Sequence, residues 1–147
     1  MSVKAVLCAS TLLLAVLICG CTTTTQESTV APAETPSFLG NWTGTMVGYT
    51  YGVGYTDFSG YTISMSVTKQ QDRIFSGEIT FTNQSGSLIR EASPCAGVIG
   101  RDGKTFTLVE HDGGHSAGSL IAPDEIEIIH SDGEEPFSIA IDSLKKS

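Results

Sequence analysis

Three histidines are the side chains in this sequence with the most recognisable metal chemistry. His111 and His115 flank an Asp-Gly-Gly turn, and His130 follows later in the chain. Zinc or copper would need these imidazoles to converge with a carboxylate such as Asp112. The spacing matches no defined metal motif. Solvated turn residues are therefore the favoured interpretation, with His111 and His115 kept as candidates, and we predict no resident metal or cofactor.

The positions of the cysteines decide which thiol chemistry is available. Cys8 and Cys19 lie in an apolar N-terminal segment, Cys21 follows it directly, and Cys95 is alone in the remainder. Removal of that segment would leave no intradomain disulfide, no CxxC pair and no zinc site built on several thiolates. Cys95 has no basic residue nearer in sequence than Arg90, so a buried inert thiol is favoured over a nucleophile.

Carboxylates gather near two predicted turns. They are Asp124, Glu125 and Glu127, and then Asp132, Glu134 and Glu135. Their order does not match an EF-hand loop, and no spacing singles out a catalytic pair, so a solvated acidic face is the default interpretation. The chain also has no nucleophile elbow, P-loop or HExxH motif. We therefore predict that the protein is not an enzyme.

All four tyrosines of the chain fall within the glycine-containing stretch 49–61. Flexible backbone combined with amphipathic rings is typical of contact surfaces. The candidates for ligand binding are Tyr49, Tyr51, Tyr55, Phe58 and Tyr61. The alternative is a bulged hairpin whose tyrosines pack on neighbouring strands, and the sequence leaves both open.

The first twenty residues have the layout of a secretion signal. A short segment with one positive charge, Lys4, precedes the apolar run Ala5 to Ile18. This run has the length of a signal core and is shorter than the ~20 residues of a membrane-spanning helix. We predict a signal peptide over residues 1–20.

The sequence Ile18-Cys19-Gly20-Cys21 resembles a lipobox, with an aliphatic residue at −3, a small residue at −1 and a cysteine at +1. The resemblance implies cleavage before Cys21 and a diacylglyceryl group on its sulfur. Two acyl chains suffice for stable anchoring, so we expect an extracytoplasmic protein whose first partner is membrane lipid. The alternative is an ordinary cleavable signal with incidental cysteines.

A change of composition separates the predicted anchor from a folded domain. Residues 22–37 are rich in Thr, Ser, Pro and Ala and poor in large apolar side chains, which predicts a disordered tether over 21–37. The whole layout resembles small lipoproteins of bacteria and archaea. A net charge of −8, with no basic cluster beyond Lys145-Lys146, argues against nucleic acid as a partner.

From residue 38 to 147 the chain alternates short β-type runs with Gly, Asn, Asp and Pro turns. Eight runs have this character: 40–49, 58–69, 73–82, 88–100, 105–112, 115–121, 125–130 and 137–144. Hairpin turns such as Asp102-Gly103 and Asp132-Gly133 join antiparallel neighbours. An eight-stranded meander removes its edges best by closing. We predict an all-β up-and-down barrel, with a β-sandwich as the alternative.

Period-two alternation predicts which side chains face the core. The inward sets are Tyr61, Ile63, Met65 and Val67; Ile126 and Ile128; and Phe137, Ile139 and Ile141. Met46, Phe81 and Phe106 are further interior positions, and their packing decides whether the barrel holds a cavity.

The residues Gly40-Asn41-Trp42 at the start of the first strand resemble the Gly-x-Trp of the calycin group, which includes lipocalins, fatty-acid-binding proteins and avidins. The resemblance implies a barrel whose Trp42 plugs one end, covered by Lys145 or Lys146 of the last strand. Avidins hold biotin with several tryptophans, and Trp42 is the only one here, so biotin binding is not expected.

Two functions follow from this layout. The first is a non-enzymatic binding module for a small molecule or an envelope partner, with entry at the Tyr/Gly stretch. The alternative is a structural or interaction protein of the cell envelope whose barrel is filled by side chains and has no ligand cavity.

Overall fold

The computed structural model describes residues 34–133 and 136–147. The predicted signal peptide, Cys21 and most of the predicted tether lie outside the described residues. Within the described part of the chain every regular element is a β-strand. No helix there is long and apolar enough to cross a membrane.

Nine strands make up the domain. They are β1 (Gly40–Thr50), β2 (Gly54–Thr56), β3 (Tyr61–Gln71), β4 (Ile74–Asn83), β5 (Ser93–Ile99), β6 (Thr105–Glu110), β7 (His115–Ala122), β8 (Glu125–Asp132) and β9 (Ser138–Lys146). Every pairing is antiparallel, and strands β3 to β9 follow one another in sequence order.

Pairing of β1 with both β3 and β9 closes the sheet into an eight-stranded up-and-down barrel. The barrel prediction is confirmed, and the sandwich alternative does not apply. One strand beyond the eight of the barrel, β2, was not predicted. Among the described residues it pairs with the last part of β1, from Gly48 to Thr50. It lies along the edge of β1 that β3 occupies nearer to Gly40, and it continues the sheet there.

The wall of the barrel opens at one end, between β1 and β3. β1 pairs with β3 only from Gly40 to Gly44, whereas it follows β9 as far as Thr50. Above Gly44 the two strands diverge, and the chain between them forms β2 and its loops. We call the end near Thr50 the open end and the end near Gly40 the closed end.

The loop between β4 and β5 also lies at the open end. The sequence predicted a strand from Leu88, but β5 begins only at Ser93, and Leu88 makes an isolated bridge with Thr82. The reason is local, because Asn83 Oδ1 accepts hydrogen bonds from the amides of Ser85 and Ser87 and turns the chain. The loop therefore carries Ile89 and Arg90 to the open end.

Aromatic rings fill the closed end. Phe38 is fully buried, stacks on Phe75 with 5.1 Å between ring centres, and meets Phe106 edge to face at 5.0 Å. Gly97 and Gly118 make room for these rings, because a Cβ on either would lie 2.3 Å from Phe75 Cζ or 2.2 Å from Phe106 Cζ. The closed half of the barrel is a packed core.

Most of the predicted inward faces are correct. Ile63, Met65 and Val67 on β3 are buried, and so are Ile126 and Ile128 on β8. Tyr61 shares their face but lies at the open rim and is exposed. Strict alternation suffices for these strands because each has one apolar and one polar face.

The predicted face of β9 is wrong. Ile139 and Ile141 are 49% and 45% exposed, whereas Ala140, Asp142 and Leu144 are buried. Pairing of Gly44 with Leu144 places Leu144 in the closed-end core, and the two-residue period then turns Ala140 and Asp142 inward. A small residue and an acid thus occupy interior positions that the sequence pattern assigned to isoleucines.

Candidate functional site

A recess of ≈ 380 Å³ occupies the open half of the barrel. Its apolar wall is formed by Met46, Phe58, Tyr61, Phe81 and Ile89. The side chains of Arg90, His130, Asp132 and Ser138 supply polar groups, and Ala140 lines it with a methyl group only. Ala140 leaves room for the recess, because its methyl group fills little of the barrel's interior.

The Tyr/Gly stretch divides between the inside and the outside of the open end. Tyr49, Phe58 and Tyr61 line the recess. Tyr51 stacks on Phe137 at 5.1 Å, outside the recess. Phe58 has a backbone φ of 45°, which is unusual for a bulky residue and is held by the loop between β2 and β3.

Tyr55 and the misassigned isoleucines of β9 meet on the outer wall. With Val47 and Ile129 they form a shallow apolar groove of ≈ 330 Å³. We call Val47, Tyr55, Ile129, Ile139 and Ile141 the outer apolar face. It belongs to the outside of the same strands that line the recess.

A buried carboxylate, Glu110, is the centre of a charged cluster inside the barrel. The side chain of Glu110 is 1% exposed and accepts a 3.0 Å hydrogen bond from Arg90 Nη2. Arg90 also pairs with Asp112, and its guanidinium carbon lies 4.4 Å from the ring centre of Phe81. Burial of Glu110 is tolerated because Arg90 and His130 both contact its carboxylate.

The second partner of Glu110 is His130, whose Nδ1 lies 3.1 Å from Glu110 Oε1. The hydrogen bond with Glu110 raises the pKa of His130 above its ordinary value, although burial opposes the shift. Ser116 Oγ is also 3.1 Å from the same Nδ1. A nucleophilic relay needs the serine and the carboxylate on different ring nitrogens, so these three residues do not form one.

Asp142 lies inside the barrel near Glu110 and His130 and is 2% exposed. Its Oδ1 has no hydrogen-bond partner among the described residues, and the same holds for Ser93 Oγ. Burial raises the pKa of Asp142 to about 7, with the charge of His130 lowering it and that of Glu110 raising it. Near neutral pH this carboxyl group is therefore partly protonated and partly ionised.

Cys95 lies on the inner face of β5, opposite Glu110. Burial raises its pKa to about 11, and the charge of Glu110 adds to that effect. A thiol in such surroundings stays protonated at neutral pH and is a poor nucleophile.

The metal candidates lie outside the charged cluster. His111 and His115 are exposed, on the turn after β6 and at the start of β7, whereas His130 faces the interior. Across residues 34–133 and 136–147, no three His, Cys, Asp or Glu side chains are grouped to hold a metal ion.

Trp42 lies at the closed end, away from the recess. It is fully buried, and its Nε1 donates a 2.8 Å hydrogen bond to the carbonyl oxygen of Phe38. Lys146 Nζ is 5.0 Å from the centre of the indole and donates to the Ser37 carbonyl oxygen at 3.0 Å. Lys145 instead faces outward and pairs with Glu125 at 3.6 Å.

The sequence pattern missed the charged cluster. Glu110 could have been found, because the alternation Phe106, Leu108, Glu110 places it on an inward face. The sequence pattern placed Asp142 on the outer face, because Ile139 and Ile141 beside it were predicted to face inward. Arg90 could not be found, because it lies on the loop between β4 and β5 and meets Glu110 only in the folded barrel.

Comparisons with known proteins identify no family for this chain. No protein-family model matches it, and neither does any curated protein sequence. One similar solved structure is a de novo designed fluorescence-activating β-barrel, with 11% sequence identity, coverage of 75% of this chain and 94% of that chain, and a TM-score of 0.46. Another is a redesigned barrel, mFAP0, bound to DFHBI, with 12% identity, coverage of 74% and 97%, and a TM-score of 0.49. A third is an S-type phycobiliprotein lyase, CPES from Guillardia theta, with 10% identity, coverage of 75% of this chain and 88% of that chain, and a TM-score of 0.42. At these identities and TM-scores the likenesses carry no argument about ligand or activity.

Proposed function

We propose that this protein is a binding module that takes a small, largely apolar ligand into the open end of its barrel. We further propose that a lipid on Cys21 holds it on the extracytoplasmic side of a membrane. The observation that carries the first proposal is the recess, with aromatic and aliphatic walls above a buried charged cluster. Such a combination is typical of small-molecule sites.

The packing of five interior residues supports a barrel with a ligand cavity rather than a barrel filled by side chains. Ile63, Met65 and Phe106 belong to the packed core, whereas Met46 and Phe81 line the recess. The recess volume of ≈ 380 Å³ lies within the range of roughly 300–1,000 Å³ typical of ligand pockets. The closed half stabilises the fold, and the open half is left for the ligand.

The chemistry of the charged cluster favours binding over catalysis. Ser116 and Glu110 share one nitrogen of His130, and the thiol of Cys95 is kept protonated by its surroundings. Ser116 therefore lacks a histidine that a carboxylate orients through its other nitrogen, and the Cys95 thiol is not activated as a nucleophile. The proposal is therefore a non-enzymatic binding protein.

Binding of N-phenyl-1-naphthylamine, a neutral probe whose fluorescence rises in apolar surroundings, tests the cavity. Ser138→Phe places a ring inside the recess, and Ser143→Phe places the same ring on the exposed outer face of the same strand. We expect Ser138→Phe to weaken probe binding by at least about tenfold. The Ser143→Phe variant should bind like the wild type. Equal affinity in all three proteins would contradict a ligand site in the barrel.

The anchor is tested separately by mass spectrometry of the protein extracted from the membranes of cells that make it. The expected product begins at Cys21 and carries diacylglycerol on the sulfur. The Cys21→Ser variant should lose the lipid and leave the membrane fraction. An unmodified chain with a different first residue would overturn the anchoring proposal and leave the ligand site untouched.

The outer apolar face supports a second candidate, an interaction protein of the cell envelope. Monomeric proteins rarely expose large continuous apolar surfaces that have no role. Ile141 lies in this face and does not line the recess. Loss of chemical cross-links to an envelope protein in Ile141→Glu, with unchanged probe binding, would favour this function. Unchanged cross-links would count against it.

A further inference from the structure

The bottom of the recess lies next to a buried carboxylate that has an unused hydrogen-bonding oxygen. Asp142 faces inward on β9, one inward position below Ala140, and it pairs across the sheet with Met46. Both neighbours line the recess. Asp142 does not itself line the recess; it lies one inward position beyond Ala140, between the recess and the packed core.

The unpaired oxygen of Asp142 can accept a hydrogen bond from a molecule outside the described chain. Its Oδ1 is buried and lacks a partner among the described residues. A buried polar atom without a hydrogen bond destabilises the fold, so such atoms are rare in native proteins and each needs an explanation, of which a bound molecule is one. Ser93 Oγ is a second such atom on the inner face.

The charges around Asp142 favour a cationic donor. The titratable groups that act on it are His130 of β8 and Glu110 of β6. Arg90 lies beyond Glu110, and the neighbouring residue on β1 is the uncharged Met46. Arg90 and His130 are already paired with Glu110 and, for Arg90, with Asp112. The cluster therefore holds three carboxyl groups against one guanidinium and one imidazole.

We propose that the ligand is an amphiphilic amine, whose protonated amino group donates a hydrogen bond to Asp142 Oδ1 while its apolar body lies against Phe58, Tyr61 and Phe81. This inference rests on the proposed function and names the ligand class of the same site. An ammonium group supplies both the missing donor and the missing positive charge. Aromatic walls suit its body and can contact the cation through their faces.

Binding of such an amine is coupled to the proton of Asp142. Burial raises the pKa of Asp142 to about 7, and an ammonium group favours the ionised form. The amine itself stays protonated from pH 5.5 to 8, because alkylamines titrate near the value of lysine. The affinity should therefore rise with pH across this interval, with release of a proton on binding.

Three ligands with one apolar body separate the head-group chemistries: 4-phenylbutylamine, 4-phenylbutanol and 4-phenylbutyrate. Each displaces N-phenyl-1-naphthylamine from the full-length protein at pH 8. We expect the amine to bind about tenfold more tightly than the alcohol, and the carboxylate to bind most weakly. In Asp142→Asn the amine should fall to the affinity of the alcohol, while the alcohol is unchanged. Asp124→Asn, in the exposed turn after β7, is the matched control.

The pH dependence provides a second measurement. In the wild type the amine should lose affinity from pH 8 to pH 5.5, and the alcohol should not. Asp142→Asn should reduce this difference, and the part that remains belongs to His130, which also lines the recess and titrates above 6.5. A preference for the carboxylate, or an amine preference that survives Asp142→Asn, would overturn the inference.

Failure of the inference and failure of the proposed function give different results. Binding of the probe without displacement by the amine contradicts the ligand class and leaves the recess as a binding site. Absence of probe binding contradicts the proposed function itself. Circular dichroism of Asp142→Asn establishes that a loss of amine binding occurs in a folded barrel.

Discussion

Arg90 donates a 3.0 Å hydrogen bond to Glu110, although Arg90 lies on a surface loop and Glu110 faces the interior of the barrel. The side chain of Arg90 is 40% exposed, and that of Glu110 is 1% exposed. The loop between β4 and β5 is thereby tied to the inner face of β6. The same contact neutralises a carboxylate that would otherwise be costly to bury.

Removing the guanidinium should destabilise the barrel. In Arg90→Ala the buried carboxylate of Glu110 loses its guanidinium partner, so we expect the free energy of unfolding to fall by about 1–3 kcal/mol at pH 7. Urea denaturation followed by circular dichroism measures the change. Arg101→Ala, an exposed arginine of the turn after β5, is the control. Equal stability of the two variants would show that the ion pair contributes little.

The stability of the barrel should fall as the pH rises from about 4 to about 8. The folded-state pKa of Asp142, about 7, is above its ordinary 3.8, so the folded protein keeps a proton that the unfolded chain has released. This contribution is complete below pH 3.8 and is lost as the pH rises through about 7. At pH 8, Asp142→Asn should be more stable than the wild type by on the order of 4 kcal/mol. A parallel pH profile in wild type and variant would contradict this assignment.

His130 should titrate above its ordinary value of 6.5 because of its hydrogen bond with Glu110. Its contribution to stability is complete below pH 6.5 and is lost as the pH rises through the higher folded-state pKa. Nuclear magnetic resonance of the imidazole gives the midpoint directly. Glu110→Gln should move the midpoint below that of the wild type, since burial then acts without the carboxylate. Glu125→Gln, on an outer ion pair, should not move it.

Two inward glycines should not tolerate a methyl group. In Gly97→Ala and Gly118→Ala the new Cβ would lie within 2.3 Å and 2.2 Å of the rings of Phe75 and Phe106. Overpacking of this kind costs about 1–3 kcal/mol, which thermal unfolding would detect as a lower midpoint. Gly60→Ala meets nothing within 4 Å and should unfold like the wild type. Unchanged midpoints for both interior variants would show that the closed end repacks freely.

The two terminal lysines should differ in their effect on stability. Lys146 contacts the indole of Trp42 and the carbonyl oxygen of Ser37, so Lys146→Ala should lower the free energy of unfolding by about 1 kcal/mol. Lys145 makes an exposed ion pair, and Lys145→Ala should change it by less than about 0.5 kcal/mol. Urea denaturation at moderate salt distinguishes them. A larger effect of Lys145→Ala would contradict the contact seen at Trp42.

Sequence reasoning was sufficient where a strand has two chemically different faces. β3 and β8 alternate apolar and polar side chains, and their turns contain residues that tolerate tight bends, so the fold class and most of the core followed. It failed on β9, where isoleucines on one face compete with Ala140, Asp142 and Leu144 on the other. The partner strands, and not the hydrophobicity of β9, decided between the faces.

By itself the sequence determined an all-β meander of hairpins, because alternation and turn chemistry are local properties. It also predicts an anchor at Cys21 that lies beyond the described residues. Only the tertiary structure decided the site. Closure of β9 between β1 and β8 sets a register in which Asp142 and Ala140 face inward, and the loop after β4 brings Arg90 to the buried Glu110. Such placements depend on contacts between distant segments, which no single strand pattern contains.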